Sequence, residues 1–439
     1  MNWLDAKPSR WASLVFLLTL FVYLASPVRQ VADSNYSMLV SESLLQHGTV
    51  RLDDYVIPRF NSDLPPQPFP GHVPYQLQRK QNHAYYVYPL GSSILSLPYV
   101  AAMNLIGIAA VDANGVFDFW GEAKIECSLA ALLMAALAVI FLRMGRLLLP
   151  ARYSALIALA AAFGTQMWST ASRGLWSDTW GILLIGLVTW MLLDAQVNKR
   201  ALRPVLLATL LAWAYFVRPT YCVPAVTVSV YVLATRPRDA LRFVLTGLAW
   251  LAAFVAWSWS LFRQLLPDYF QASQLKFTTV GAGLAGTLFS PSRGLLIFVP
   301  AVAVVAYLLL RYRRDIAHPR LAACAVVTIA LHLVVVAGFP AWYAGHCYGA
   351  RYTTGLVPWF VLLAILGVQA ARTAHLRRAR AWRAECAAAC SVLVLGVLVN
   401  ANGALNKHTA EWNFKPVNID AQPQRVWDWR DPQFLVWSR

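Results

Sequence analysis

A chain of 439 residues that is 59% apolar and only 13% charged, with a mean hydropathy of +0.51, lies outside the composition of an ordinary soluble domain. Its formal net charge of +17 would suggest a nucleic-acid partner in a soluble protein. Here the basic residues sit in short clusters between apolar runs, which is a topology signal and excludes that reading.

Lys/Arg placement sorts the apolar segments into eleven expected spans: 11–27, 124–142, 153–168, 179–195, 204–217, 221–235, 243–262, 294–310, 321–338, 354–371 and 386–402. The first, Trp11 to Pro27, has no small-residue cleavage site and reads as a retained anchor. With Lys7 and Arg10 inside, alternate loops carry Arg143, Arg146 and Arg152; Lys199, Arg200 and Arg203; Arg236, Arg238 and Arg242; Arg311, Arg313, Arg314 and Arg320; then Arg372, Arg377, Arg378, Arg380 and Arg383. This puts 20 of the 37 basic residues on the cytoplasmic side. The expected fold class is an all-α polytopic membrane protein of about 11 transmembrane helices, with interfacial helices in a large first outer loop. Its expected units are 1–27 (N-terminus and first span), 28–123 (first periplasmic loop), 124–262 (spans 2–7), 263–293 (periplasmic loop), 294–402 (spans 8–11) and 403–439 (periplasmic tail).

Pro89 to Ala110 is apolar enough to span, but crossing there would move Arg143 and Arg146 outside and invert every later loop. A helix lying flat, interrupted by Pro98, keeps the basic loops inside; a twelfth span with an inverted remainder is the alternative. Six cysteines show neither a disulfide framework nor metal-ligand spacing. No internal repeat of the kind that builds duplicated transporters is visible.

After the first span comes Val31-Ala-Asp33-Ser-Asn-Tyr36. Tyr36, Leu39, Val40 and Leu44 then recur at helical spacing up to Gly48, which predicts an amphipathic surface helix. Asp33 at its start is placed either to cap free amides or to do chemistry. A second carboxylate, Asp178, stands at the mouth of the fourth span with Trp176 and Arg173 before it. A charge entering lipid must be paired or face a wet cavity, so Asp178 either pairs with Arg173 or serves a site. Arg218, Arg293 and Arg351 also fall at outer span ends, the last in Gly345-His346-Cys-Tyr-Gly349-Ala-Arg351-Tyr352. Each can anchor a span to headgroups or bind phosphate through forked donors. Together with the two acids they outline a charged chamber at one membrane face.

The order of these features resembles the GT-C membrane glycosyltransferases that use polyprenyl-phosphate sugars, such as protein O-mannosyltransferases and lipid A aminoarabinose transferases. Asp33-Ser-Asn-Tyr36 matches the acidic opening of that family's first outer loop, and Tyr88-Pro-Leu-Gly91 its proline-containing flat helix. Asp178 matches its second acid, and Gly349-Ala-Arg351-Tyr352 its late Gly-x-Arg-Tyr segment. The usual acidic pair is here Asp33-Ser34, and a lysine-proline pair before the flat helix is replaced by Val87-Tyr88-Pro89, which leaves Arg79, Lys80 and His83 as local phosphate candidates.

The resemblance implies an inverting transfer from a polyprenyl-phosphate sugar to a lipid, glycan or protein acceptor at the periplasmic face of the inner membrane. Asp33 is then the expected base, Asp178 orients the acceptor or an arginine, and Arg351, Arg293 and Arg218 face the donor phosphate. Tyr36, His83, Tyr88, Trp176, His346 and Tyr352 are the expected substrate contacts. No cofactor is expected; a divalent cation is compatible with two acids in one chamber, but no ligand cluster requires it. A lipid-linked-saccharide flippase and a polymer ligase are the alternatives, and the short basic inner loops disfavour a transporter with sites on both faces. The tail with Trp412, Trp427, Trp429 and Trp437 is expected to fold over the outer face, its tryptophans at headgroup level.

Overall fold

A computed structural model describes residues 8–58, 74–375 and 382–436; Lys7, Arg377, Arg378, Arg380 and Trp437 lie outside the described residues. In chain order the elements are α1 (Pro8–Ala25), α2 (Ser37–His47), β1 (Leu77–Lys80), β2 (His83–Tyr86), α3 (Gly91–Leu105), α4 (Phe119–Arg146), α5 (Ala151–Phe163) and α6 (Ser177–Val197). Beyond these come α7 (Pro204–Val217), α8 (Cys222–Thr235), α9 (Pro237–Phe262), α10 (Val280–Phe289), α11 (Leu295–Phe298), α12 (Ala301–Arg311), α13 (Pro319–Ala337), α14 (Val357–His375), α15 (Trp382–Leu405) and α16 (His408–Glu411).

A helix stands at each of the eleven expected spans. Six are long and apolar enough to cross a membrane: α4, α6, α9, α13, α14 with its preceding turn, and α15. Several others, including α5, α7, α8 and α12, are shorter apolar helices, so the fold is that of a multi-helix membrane protein without a fixed count of eleven full crossings. The core is centred on α4, whose Leu129, Met134, Leu137 and Phe141 are buried between α1, α5 and α6. At the periphery α9 presents Leu241, Leu245, Leu248 and Leu251 outward, the apolar surface a bilayer requires.

Side-chain bonds settle the path of the first loop. Glu122, in the first turn of α4, accepts hydrogen bonds from Tyr36 N at 2.8 Å and Met38 N at 2.7 Å, just beyond the end of α1. The start of α2 is thus held at the start of α4, and α3 packs against α2 beside it. Its C-terminal Leu105 is 89% exposed, as suits a helix tip in an apolar interface.

Three features depart from the expected pattern. The first loop carries an antiparallel β-hairpin, Leu77 opposite Tyr86 and Lys80 opposite His83. Its two-residue turn, Gln81-Asn82, has positive φ at both positions (52° and 64°), the backbone of a tight hairpin turn whose twist matches its strands. Helix α2 is buried from Ser37 to Ser43 and packs on α3 and α4, so its polar serines and Glu42 face protein instead of a membrane surface. The segment 263–293 contains an apolar helix, α10, which packs against α13; a Cβ on Gly283 would stand 2.3 Å from Ala337 O, so only glycine fits that close approach.

Helix α6 runs roughly 30 Å at 1.5 Å per residue. Its first turn lies beside Arg218 and its last turn beside Arg236. The acidic and aromatic loops therefore collect at one end of the bundle and the basic loops at the other. If these ends face opposite sides of a bilayer, cysteines introduced as Arg314→Cys and Asp428→Cys in a cysteine-free background will react with a membrane-impermeant maleimide from opposite sides of sealed vesicles. Labelling of both from one side contradicts the crossing pattern.

Candidate functional site

The site begins with the short segment that leaves α1. Arg173 donates to Ser26 O at 2.8 Å and to Tyr23 O, while its own carbonyl accepts Gln30 N at 2.7 Å, which fixes the exit from α1. Gly174 is pressed against this strand so closely that a Cβ would stand 2.5 Å from Gln30 O. The hairpin completes the hold: Gln76 Nε2 donates to Ala32 O at 3.0 Å, and the Tyr86 hydroxyl donates to Asp33 O.

Two buried acids one helical turn apart on α4 pin the next stretch of chain. Glu122 caps the start of α2, taking Tyr36 N, Met38 N and Leu39 N. Glu126 accepts from Ser34 Oγ at 2.7 Å, Ser37 Oγ at 3.4 Å and Leu175 N at 3.0 Å, tying the first loop to the loop before α6. Asp33 is therefore not a helix cap. With the amides of α2 served by Glu122, its carboxylate turns to Arg351, whose Nη2 donates to Oδ2 at 2.7 Å, and to the Tyr75 hydroxyl, which donates to Oδ1 at 3.0 Å.

Arg351 follows Gly349, whose φ of 63° turns the backbone sharply before the helix containing Tyr352. Its guanidinium lies 3.5 Å over the Trp176 ring. Next to it the Tyr352 ring is shared by two cations, 5.9 Å from Arg351 and 5.2 Å from Arg218. Arg218 in turn is ion-paired with Asp178, both side chains buried. Asp178 thus pairs across to Arg218 and not with its sequence neighbour Arg173, whose donors go to α1. His332 Nε2, 3.0 Å from Tyr352 O, supports this loop from α13.

Asp33 and Arg351 border a narrow cleft, bounded also by Ser34, Ser37, Tyr88 and Tyr269. Buried polar atoms at this cleft, Ser92 Oγ and Arg351 Nε, have no hydrogen-bond partner among the described residues, which marks room for a polar ligand. Tyr86, Tyr88, Pro89 and Tyr269 are shared with a second, larger groove of about 180 Å³ lined by Trp213, Phe216, Phe254 and Trp257, with Lys80 also on its lining. Lys80 pairs there with Asp268 at 3.2 Å and lies 5.2 Å over Phe262. A charged cleft thus continues into an aromatic groove, the shape that suits an amphiphile with an anionic head.

Burial alone pushes the Asp33 carboxyl up, but the Arg351 guanidinium and hydrogen bonds from Arg351, Tyr75 and Tyr88 outweigh it and hold it below the ordinary carboxylate range.

The other sequence candidates lie elsewhere. Arg293 is buried among the carbonyls of Tyr343, Ser292 and Gly345 and the side chains of Asn413 and Gln433, so it binds the tail to the loop before Arg351. His346 stacks on Phe414 at 4.5 Å and meets Asn418 at 2.9 Å, also in the tail. His83 pairs with Asp53 at 2.7 Å, and Tyr36 stacks against Phe117 at 4.5 Å. Arg79 stands on β1 opposite Ala84. In the tail itself, Trp412 is fully buried and donates to Asp431 O at 3.0 Å, a core residue instead of a headgroup anchor, whereas Trp427 and Trp429 are exposed.

Four side chains that hold Asp33 and its segment have no counterpart among the sequence candidates: Tyr75, Tyr86, Glu122 and Glu126. The glutamates carried a signal, because two acids at i and i+4 entering an apolar helix are costly unless something nearby satisfies them. The tyrosines carried none without the hairpin.

No protein-family model matches this sequence, and no curated protein matches it. Among solved structures the fold is similar to a crystal structure of ArnT from Cupriavidus metallidurans bound to undecaprenyl phosphate. The TM-score is 0.50 over 92% of this chain and 68% of that one, with 16% of residues identical. At that identity the likeness establishes a shared fold.

Glu122→Ala leaves three buried amides at the start of α2 without an acceptor and is expected to cost about 1–3 kcal/mol. Glu122→Gln, which keeps one acceptor oxygen, should cost less; thermal unfolding of the purified protein ranks the two, and equal stability of both variants with the parent contradicts the clamp.

Proposed function

We propose that the chain is a glycosyltransferase that moves a sugar from a polyprenyl-phosphate donor to an acceptor at the outer face of the cell's inner membrane. The observation that carries this reading is the continuity of an aromatic groove with a cleft holding one acid and one guanidinium at 2.7 Å. An isoprenoid chain suits the groove, a phosphate suits Arg351, and the likeness to a fold solved with undecaprenyl phosphate supports the same ligand class. The basic loops gathered at the opposite end of the bundle support this orientation.

In this mechanism the donor phosphate replaces Asp33 as the partner of Arg351. Asp33, no longer held down by the cation, becomes a stronger base and takes the proton of the acceptor hydroxyl or amine as that atom attacks the anomeric carbon. The bond from that carbon to the phosphate oxygen breaks, and its electron pair leaves with the polyprenyl phosphate. Arg351 stabilises the growing phosphate charge, with Lys80 on the adjoining groove, while Arg218, closed in its buried pair with Asp178 and outside the cleft lining, does not reach the phosphate. A single displacement inverts the anomeric configuration. Asp178 keeps Arg218 in place, Trp176 and Tyr352 hold the two guanidinium planes, and Tyr88 borders the sugar. Arg293 and His346 serve the same site indirectly, by fastening the tail beside the Arg351 loop.

Detergent-purified protein given a polyprenyl-phosphate sugar should release polyprenyl phosphate, which a flippase would not do because it breaks no bond. Asp33→Asn is expected to lower that turnover by about two to four orders of magnitude, the usual scale of a general base. Near-parental turnover by the variant removes Asp33 from the role.

The partner exchange also has a pH signature. A carboxylate whose pKa is depressed stays ionised as pH falls through the ordinary carboxylate range, and the pairing it gives is lost only below that. The acid limb of kcat/KM, which reports the free enzyme, should therefore lie below the ordinary range. The acid limb of kcat, which reports the donor complex, should lie higher. Coincident limbs contradict the exchange.

A further inference from the structure

At the end of the bundle away from Asp33, the termini of three helices enclose a second polar cavity. The end of α6, the end of α8 and the start of α13 line an open cavity of about 330 Å³, with Arg236, His318 and Arg320 on its walls. Gln196 Nε2 donates to the Tyr231 hydroxyl at 2.7 Å, and both residues line the cavity with polar groups instead of leaving apolar wall. Arg236 spends one donor on Ala195 O at 3.1 Å, which fastens α8 to the end of α6 and leaves the rest of its fork available. Asp194, the acid on the adjoining turn of α6, is engaged by Arg200 at 3.6 Å. No carboxylate forms an ion pair with Arg236, His318 or Arg320 among the described residues, so the cavity holds a surplus of positive charge.

Basic residues at the inner ends of spans ordinarily project singly into water. Arg236 and Arg320 converge from two separate loops on one concavity. Along the two helices that border it, within about two turns of the cavity, Val230 and Leu233 of α8 and Val327 of α13 are 61%, 51% and 49% exposed, apolar side chains open to acyl chains. A ligand that fits both parts has an anionic phosphate for the cavity and acyl chains for the helix faces, which a free phosphate ion does not supply.

We propose that this cavity binds the phosphate headgroup of an anionic phospholipid, with Arg236 and Arg320 as its principal contacts and the acyl chains lying along α8 and α13. The site is separate from the Asp33 cleft by the length of α6 and does not depend on the proposed transfer reaction.

Delipidated full-length protein titrated with phosphatidylglycerol, phosphatidylcholine or inorganic phosphate, and read by native mass spectrometry, tests this. Phosphatidylglycerol should bind more tightly than phosphatidylcholine, and the double variant Arg236→Gln/Arg320→Gln should lose about tenfold or more of that affinity, on the usual scale for removing basic contacts to anionic lipid. Arg238→Gln, in the same loop but not on the cavity wall, should keep it. The proposal is overturned by equal binding of the two lipids, by undiminished binding in the double variant, by an equal loss in Arg238→Gln, or by inorganic phosphate binding as tightly as the lipid. Asp33→Asn should leave lipid binding unchanged, so an inactive transferase and a missing lipid site are distinguishable results.

Discussion

The contact between Asp33 and Arg351 joins residues 318 positions apart and closes the charged end of the bundle. Each partner arrives by a different route. Asp33 comes on an extended segment held by a hairpin and by α4, and Arg351 on a glycine-turned loop stacked on Trp176. Neither charge is tolerable alone at this depth, because an unpaired buried ion retains most of its desolvation cost. The pair therefore couples the first loop to the last third of the chain, and whatever displaces one partner must satisfy the other.

What leaves Asp33 free for this contact is a division of labour among acids. The start of α2 needs an acceptor for its free amides, and Asp33, three residues upstream of the cap position, is a natural supplier by sequence alone. Glu122 takes that task from another helix and Glu126 holds the adjacent serines. Both glutamates are met by N–H and O–H donors and not by a cation. Ser34 and Ser37, which donate to Glu126, also bound the Asp33 cleft, so the clamp on α4 sets the wall of the cleft as well as its floor.

The helical scaffold was legible in the sequence because lipid imposes a single rule, that backbone groups be paired within a segment and side chains be apolar. Hydropathy and arginine placement therefore located a helix at every expected span. The signals failed where structure depends on contacts between distant segments. The hairpin's turn, Gln81-Asn82, lacks the glycine that usually announces such turns, and its strands are only four residues long. Arg293 and Arg351 look alike in sequence, each an arginine beside a span and near a glycine. Tail residues Asn413 and Gln433 surround the first, while among the described residues the second is met by Asp33 and the Trp176 and Tyr352 rings. The tail's tryptophans likewise read as headgroup anchors by composition, yet Trp412 is the centre of a small core with Ile419 and Val426.

The second ion pair, Arg218 with Asp178, clarifies why the first persists. A buried ion pair is weak evidence for stability, since well-packed apolar residues of similar volume often serve a fold as well or better. Two such pairs on either side of one tyrosine ring are therefore poorly explained by the needs of the bundle. They differ in one respect that matters chemically. Arg218 and Asp178 are both buried, with side chains 7% and 3% exposed, whereas the Asp33 side chain is 27% exposed at the cleft and Arg351 keeps a buried Nε without a partner. The inner pair is built to stay closed and fix the Tyr352 loop. The outer pair is open on one side, with an unused donor, so an anion arriving from the aromatic groove would compete with Asp33 for the guanidinium, the exchange on which the proposed mechanism rests.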